Sequence, residues 1–144
     1  MEDFLAHLNE RQREAVTTEN GPLLVIAGAG SGKTMVLTRR IASLISKGIA
    51  RPDQVLAVTF TNKAAGEMKE RVRALLAGSS GHALPLIGTF HSVCLIILRA
   101  HAELLGYARG FIIFDSKDQQ ALLKSICEEL RIDTERFTPD SFGN

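Results

Sequence analysis

The sequence predicts an α/β fold in which a parallel sheet is flanked by helices, and two observations lead to this prediction. First, short apolar segments alternate along the chain with longer segments whose apolar residues recur at helical spacing. Alternation of this kind builds parallel strands joined by right-handed crossovers. Second, a glycine-rich loop connects the first apolar segment to the first long helical segment, which is typical of phosphate-binding proteins.

The individual elements follow from apolar spacing, capping residues and glycine stops. Strands are predicted at Leu23–Ala27, Val55–Phe60 and Leu84–Phe90. Two helices are predicted to follow caps, one after the pair Asn9 and Gln12 and one after a capping box that starts at Ser116. Two more are predicted over about 33–47 and about 92–105, with Gly48 and Gly106 as their stops. Between them, a helix capped by Asn62 is predicted to end at Gly78. Gly78–His82 is predicted as a polar loop, and the tail Phe137–Asn144 shows no periodicity.

The composition is that of an ordinary globular protein. The chain has 144 residues, of which 45% are hydrophobic and 23% charged, with a net charge of +1. Nucleic-acid binding would therefore have to rest on local groups. Cys94 and Cys127 stand apart and predict free thiols in a reducing cytoplasm. The N-terminus lacks the features of a signal peptide, and the longest apolar run, Val93 to Leu98, is too short to span a bilayer. We therefore expect a cytoplasmic protein without membrane contact.

The glycine-rich loop predicts a site for a nucleotide with Mg²⁺. Its glycines carry no Cβ, so backbone N–H groups can converge on phosphate oxygens. Lys33 would lie against the β- and γ-phosphates, and the Thr34 hydroxyl would ligate Mg²⁺, so these two are the candidate catalytic residues. The predicted nucleotide-binding residues of the loop are Ala27, Gly28, Ala29, Gly30, Ser31, Gly32, Lys33 and Thr34.

Four segments together resemble the motifs of UvrD/Rep-type DNA helicases of superfamily 1A. The loop resembles their motif I, and the other three resemble their Q motif, motif Ia and motif Ib, at residues 8–16, 58–65 and 88–91. They occur in the family's order and at similar spacing, so the resemblance covers essentially the whole chain. It implies an incomplete RecA-like sheet, with residues 1–90 as the first part of motor domain 1A and 91–144 as the beginning of the mainly helical subdomain 1B.

The resemblance also implies an activity, which is ATP-driven 3′→5′ movement on single-stranded DNA with unwinding at duplex junctions. ATP and Mg²⁺ would be the cofactors, and the remaining helicase domains would be partners. The resemblance implies that Gln12 contacts adenine, whereas the residues alone favour a helix-capping glutamine. For Phe60, the residues alone favour a core position at the end of a strand. The residues implied in nucleic-acid binding are Thr59, Phe60, Thr61, Asn62, Lys63, Thr89, Phe90 and His91.

Two departures narrow these expectations. Met35 stands where the family usually has an arginine that stacks on adenine, so the cation–π part of that contact is lost. The chain also holds no Asp-Glu pair after a predicted strand, which the family uses for hydrolysis. We therefore expect the isolated chain to bind nucleotide weakly without hydrolysing it, to have little DNA affinity, and to self-associate through apolar edges of an incomplete sheet.

Two alternatives remain open from the sequence. Phe111–Phe114 followed by Asp115 has the pattern of a Walker B strand, which would make the protein a self-contained small NTPase or kinase. Asp115 also precedes a capping box, so it could simply begin a helix. The second alternative is a non-catalytic nucleotide-binding module that retains Lys33 without turnover.

Overall fold

The computed structural model describes residues 4–77 and 83–132. The chain divides into two compact units, Met1–Leu98 and Arg99–Asn144. The predicted loop Gly78–His82 and the aperiodic tail Phe137–Asn144 lie outside the described residues. Within the described ranges, no helix combines the length and the apolar character needed to cross a membrane.

Five α-helices and two strands lie in the described residues. In chain order they are α1 (Glu10–Thr17), α2 (Lys33–Ser46), β1 (Leu56–Thr59), α3 (Asn62–Leu76), β2 (Leu86–Thr89), α4 (Phe90–His101) and α5 (Ser116–Glu129), with 3-10 turns at Pro52–Gln54 and Ala102–Leu105. The predicted helices are therefore confirmed in order and number. α2 begins at Lys33 as predicted, and the other ends for which a residue was predicted differ by up to four residues.

Two helix caps differ from the prediction by one residue. Thr61 rather than Asn62 caps α3, since the Thr61 hydroxyl accepts a hydrogen bond from the N–H of Ala64 at 3.1 Å. Asp115 rather than Ser116 caps α5. In both cases two polar residues are adjacent, and the one that lies just before the first helical residue has the extended backbone that a cap requires.

The sheet of the first unit is parallel, as predicted. β1 pairs with β2 in a register that places Leu56 opposite Leu86 and Thr59 opposite Thr89. The centre of this pair, Ala57 opposite Ile87, is buried. It contributes to a core whose other members come from α2 and α3, and the whole cluster comprises Ile41, Ala42, Ile45, Ala57, Met68, Val72, Leu76 and Ile87.

The predicted strand Leu23–Ala27 is not formed. Residues 22–28 have no regular secondary structure, and the side chains of Leu24 and Ile26 are 83% and 89% exposed. A strand exists only where a neighbour supplies backbone hydrogen bonds, and no segment within the described ranges pairs with this one. Its apolar residues are typical of a parallel strand that is buried on both faces. The composition of a strand is therefore present, but the prediction that the segment pairs as a strand is wrong.

The N-terminal segment forms a second, smaller core with α2. α1 packs on α2 through a cluster of four buried residues, with Leu5 and Met35 against it; the four are Leu8, Ala15, Val16 and Val36. This packing lays α1 beside the helix that follows the glycine-rich loop.

The junction between β2 and α4 is held by hydroxyl groups. Thr89 is buried, and its Oγ1 accepts a hydrogen bond from the N–H of Ser92 at 3.2 Å and donates to Ser92 Oγ at 3.1 Å. Ser92 Oγ donates in turn to the backbone oxygen of Thr89 at 2.9 Å. Gly88 makes room for this cluster, because a Cβ at position 88 would lie 2.6 Å from Ser92 Oγ and 3.2 Å from Val93 Cγ2.

Gly88→Ala should therefore destabilise the first unit by about 1–3 kcal/mol, since Ser92 must rotate out of its hydrogen bonds and Val93 must give way. Urea denaturation followed by circular dichroism measures the effect. Gly66→Ala is the matched control, because a Cβ at position 66 meets nothing within 4 Å and alanine is the better helix former by roughly 0.5–1 kcal/mol. Equal stability of the two variants would contradict this account of the β2–α4 junction.

Candidate functional site

The glycine-rich loop enters α2 through left-handed backbone. Gly30 has φ of 71° and Gly32 has φ of 83°, a region that residues with a Cβ rarely adopt. Gly32 is the N-cap of α2, and neither a capping side chain nor an acidic first-turn residue is present. The first N–H groups of a helix have no intrahelical acceptor and carry partial positive charge. This end of α2 is therefore suited to an anion.

The loop is closed by its own side chains. Lys33 Nζ donates hydrogen bonds to the backbone oxygens of Ala27 at 2.9 Å and Gly28 at 2.6 Å. Ser31 Oγ donates to the same oxygen of Gly28 at 2.8 Å. The Lys33 ammonium thus lies against the loop backbone, with one of its three donors unused by these carbonyls.

Thr34 is exposed in the first turn of α2, and its hydroxyl makes no hydrogen bond within residues 4–77 and 83–132. Thr34 and Lys33 are consecutive residues at the start of the helix. A hydroxyl in this position could ligate a metal ion that is held by a phosphate chain along the loop.

Gln12 links α1 to the loop. Its Oε1 accepts a hydrogen bond from the N–H of Asn9 at 3.1 Å, and Asn9 Oδ1 accepts from the N–H of Gln12 at 2.9 Å, so the predicted capping pair is confirmed. The same side chain also donates from Nε2 to the backbone oxygen of Ser31 at 3.1 Å. One amide hydrogen and one oxygen lone pair of Gln12 remain, which is the paired edge that adenine N6 and N7 require.

Gln12 and Met35 approach each other across Gly32. A Cβ at position 32 would lie 3.2 Å from both Gln12 Nε2 and Met35 Cε. Met35 therefore lies beside Gln12, where an apolar side chain can pack on a ring face.

Two cavities border the loop. The smaller, about 180 Å³, has a mostly apolar lining, and it is bordered by Gln12, Ser31 and Lys33 together with residues of α1 and the segment before the loop. The larger, about 460 Å³, has a mostly apolar lining to which Lys33 and Arg40 add charge. The smaller cavity is the better candidate for a nucleotide, since it brings together the predicted base-binding and phosphate-binding residues.

The strand ends bring the predicted nucleic-acid-binding residues together. Because Thr59 lies opposite Thr89, Phe60 and Phe90 follow at the same edge of the sheet. Their ring centroids are 5.8 Å apart at an interplanar angle of 38°. Phe60 is 91% exposed and Phe90 49% exposed, so the interpretation of Phe60 as a core residue is wrong.

The remaining predicted residues divide into two groups. Three of them are exposed and lie close in sequence to Phe60 or Phe90. They are Asn62 and Lys63, in the first turn of α3, and His91, at the start of α4. The threonine hydroxyls are used within the protein instead. Thr59 Oγ1 donates to the backbone oxygen of Thr61 at 3.0 Å, Thr61 caps α3, and Thr89 is buried in the cluster with Ser92.

Two functional candidates were missed by the sequence analysis. Arg39 and Arg40 of α2 donate hydrogen bonds to backbone oxygens of the N-terminal segment. No local sequence pattern identifies such contacts, because the acceptors lie 22 to 35 residues away along the chain.

Asp115 has the role of a helix cap. Its Oδ1 accepts hydrogen bonds from the N–H groups of Lys117 at 2.8 Å and Asp118 at 2.9 Å. The preceding run Phe111–Phe114 forms no strand. The interpretation of Asp115 as a helix entry is thus confirmed, and the strand that a Walker B site requires is not present in this segment.

Comparison with known proteins agrees with these features. The sequence model of one family, described as UvrD/REP helicase N-terminal domain, matches residues 8–142. The chain is 49% identical over 142 residues to ATP-dependent DNA helicase PcrA of Staphylococcus aureus (strain Mu50 / ATCC 700699), which covers 99% of this chain and 19% of the relative. It is 49% identical over 138 residues to ATP-dependent DNA helicase PcrA of Bacillus subtilis (strain 168), covering 96% of this chain and 18% of the relative.

The chain therefore spans about a fifth of the length of these curated relatives. The family match extends over nearly all of the chain, including the glycine-rich loop and both strand ends. The chain belongs to the UvrD/REP helicase N-terminal domain family, as its four motifs predicted.

Proposed function

We propose that this chain is the N-terminal part of an ATP-dependent 3′→5′ DNA helicase, and that it binds ATP and contacts single-stranded DNA. The observation that carries the proposal is the start of α2, where the loop, Lys33 and the uncapped helix terminus converge. Two relatives that are 49% identical to this chain over the aligned residues, which make up 19% and 18% of their own length, are named ATP-dependent DNA helicase. In this proposal residues 1–90 begin motor domain 1A and residues 91–144 begin subdomain 1B.

The loop binds the phosphates of ATP, and Mg²⁺ when bound neutralises their charge. The backbone N–H groups of the loop residues would donate to phosphate oxygens; these residues are Gly28, Ala29, Gly30, Ser31 and Gly32, with Ala27 at the entry to the loop. Lys33, whose ammonium now donates to two loop carbonyls, would hold phosphate oxygens, and the Thr34 hydroxyl would hold the metal. Gln12 holds the adenine edge through its unused donor and acceptor, and Met35 packs on the ring.

The aromatic edge of the sheet contacts single-stranded DNA. Phe60 and Phe90 offer ring faces on which unpaired bases stack, and stacking is worth about 1–3 kcal/mol per base. Asn62, Lys63 and His91 contact the phosphate backbone. The threonines do not contact DNA directly in this proposal. The hydroxyls of Thr59, Thr61 and Thr89 instead stabilise, by hydrogen bonds, the turns that carry the two rings.

The remaining helicase domains complete the active site. Hydrolysis needs carboxylates that hold the metal and orient water, and an arginine that stabilises the transferred charge. Neither the loop nor α1 carries an acidic residue that the structure places against Lys33, so we expect no hydrolysis by this chain alone. The exposed apolar segment around Leu24 and Ile26 favours self-association when those domains are not present to cover it.

Lys33→Ala should weaken binding of Mg-ATP to the chain by about tenfold or more, because a charge-assisted hydrogen bond contributes roughly 1.5–3 kcal/mol. Isothermal titration calorimetry measures the dissociation constant. Lys47→Ala is the matched control, since Lys47 lies at the other end of the same helix in an exposed ion pair with Glu19 and should bind as the parent chain does. Unchanged affinity in Lys33→Ala would refute the proposed phosphate role, and turnover by the parent chain would refute its inactivity.

Phe60→Ala should remove most of the chain's weak affinity for oligothymidylate, by about fivefold or more, because one stacking platform is lost. Chemical-shift titration at high protein concentration detects such weak binding, and the aromatic signals of Phe90 provide a second probe. Phe60→Leu keeps apolar area without a π-face and should lose nearly as much. If Phe60→Leu binds as tightly as the parent chain, the contact is apolar packing rather than stacking.

Asp115→Ala should lower the stability of α5 by about 1 kcal/mol without changing the affinity for Mg-ATP, since the side chain caps the helix. Asp115→Asn keeps a good capping residue and should restore the stability. Hydrogen exchange of the α5 amides together with calorimetry measures both quantities. A large loss of Mg-ATP affinity in either variant would instead favour the self-contained small NTPase.

A further inference from the structure

Two neighbouring arginines of α2 donate hydrogen bonds to backbone oxygens of the N-terminal segment. Arg39 Nη1 donates to the backbone oxygens of Phe4 and Ala6, before α1. Arg40 Nη1 donates to the backbone oxygens of Ala15, at 2.9 Å, and of Thr18, at the end of α1. Two consecutive residues of α2 therefore hold the segment before α1 and the C-terminal end of α1.

Arg40 supplies the cation that the last turn of α1 lacks. The last carbonyls of a helix have no intrahelical donor and carry partial negative charge, so a nearby cation stabilises them. α1 has no basic residue in its own last turn. Both oxygens that Arg40 contacts belong to this end, one inside the last turn and one at the C-cap residue Thr18. The cation that completes α1 thus comes from α2.

This cap matters because α1 is only eight residues long. Isolated helices shorter than about 12–15 residues are marginal in water, so the position of α1 depends on what it is docked to. α1 carries Gln12, whose amide donates to the backbone oxygen of Ser31 in the loop. Loosening the end of α1 would therefore loosen the residue that faces the candidate base site.

We propose that Arg40 is a positioning residue for base recognition, which holds Gln12 in place by capping α1 from α2. The proposal rests on the adenine contact proposed above for Gln12. α2 then serves both halves of a nucleotide, since its first residue binds phosphate and Arg40, seven residues later, orients the base contact. The separation is about 10 Å along a rigid helix, so the two contacts keep a fixed distance.

The proposal separates two kinds of ligand. A ligand with a base uses Gln12 and depends on Arg40, whereas tripolyphosphate uses only the loop and does not. A direct contact between Arg40 and the phosphates would behave differently, and it has to be considered because Arg40 and Lys33 line the same cavity. In that case both ligands would lose affinity in parallel.

The test compares Mg-ATP and Mg-tripolyphosphate binding to the chain by calorimetry. Arg40→Ala should weaken Mg-ATP by about fivefold or more, as expected for disturbing one or two hydrogen bonds, and leave Mg-tripolyphosphate within about twofold. Arg40→Lys retains a donor for the carbonyls and should recover most of the ATP affinity. Glu19→Gln removes the exposed ion pair with Lys47 at the end of the same segment and should change neither ligand.

A double variant keeps the proposal falsifiable. In a Gln12→Ala background, Arg40→Ala should cost no further ATP affinity, because the residue that it positions is gone. Additive losses, equal losses for both ligands, or no loss in Arg40→Ala would each overturn the inference. If the parent chain binds Mg-ATP no better than Mg-tripolyphosphate, the adenine contact itself fails. If the parent prefers Mg-ATP and Arg40→Ala keeps that preference, only the role of Arg40 fails.

Discussion

The arrangement of the nucleotide site depends on the absence of a side chain at Gly32. This residue has φ of 83°, where a Cβ is strained, and it also makes room for its neighbours. Gln12 Nε2 and Met35 Cε both come within 3.2 Å of the point that a Cβ would occupy. The absence of a Cβ at position 32 is therefore required by three features: the turn into α2, the contact of Gln12 with the loop and the packing of Met35. Any side chain at position 32 would disturb all three together.

The second site depends on strand register in a comparable way. Parallel pairing of β1 and β2 aligns Thr59 with Thr89, and each strand is followed at once by a phenylalanine. Phe60 lies two residues before α3, whereas Phe90 is the first residue of α4. The helix that begins after each strand turns the chain away from the sheet, which leaves the rings at the edge. Hydroxyl groups of Thr61 and Thr89 cap these turns, so the polar residues of the two motifs support the aromatic ones.

The sequence was informative wherever the signal is local. Helix order, the Asn9–Gln12 cap and the capping role of Asp115 follow from spacing within four residues, and the structure has them. Features that depend on partners far away along the chain could not be predicted from the sequence. The segment Leu23–Ala27 has strand composition but no described neighbour, and the acceptors of Arg40 lie on a different helix. The burial of Thr89 was hidden for the same reason, since it follows from packing at the β2–α4 junction.

Phosphate binding by this loop is partly an exchange of hydrogen bonds. Lys33 already donates to two loop carbonyls, so a phosphate that takes both donors gains only the difference between two acceptors. The N–H groups at the start of α2 have no intrahelical acceptor, so they give up only hydrogen bonds to water when they donate to phosphate. The backbone therefore supplies the basal affinity, and Lys33 contributes most when the ligand is charged enough to draw the ammonium off both carbonyls. A triphosphate meets that condition better than a single phosphate, so a loop of small residues can favour long phosphate chains.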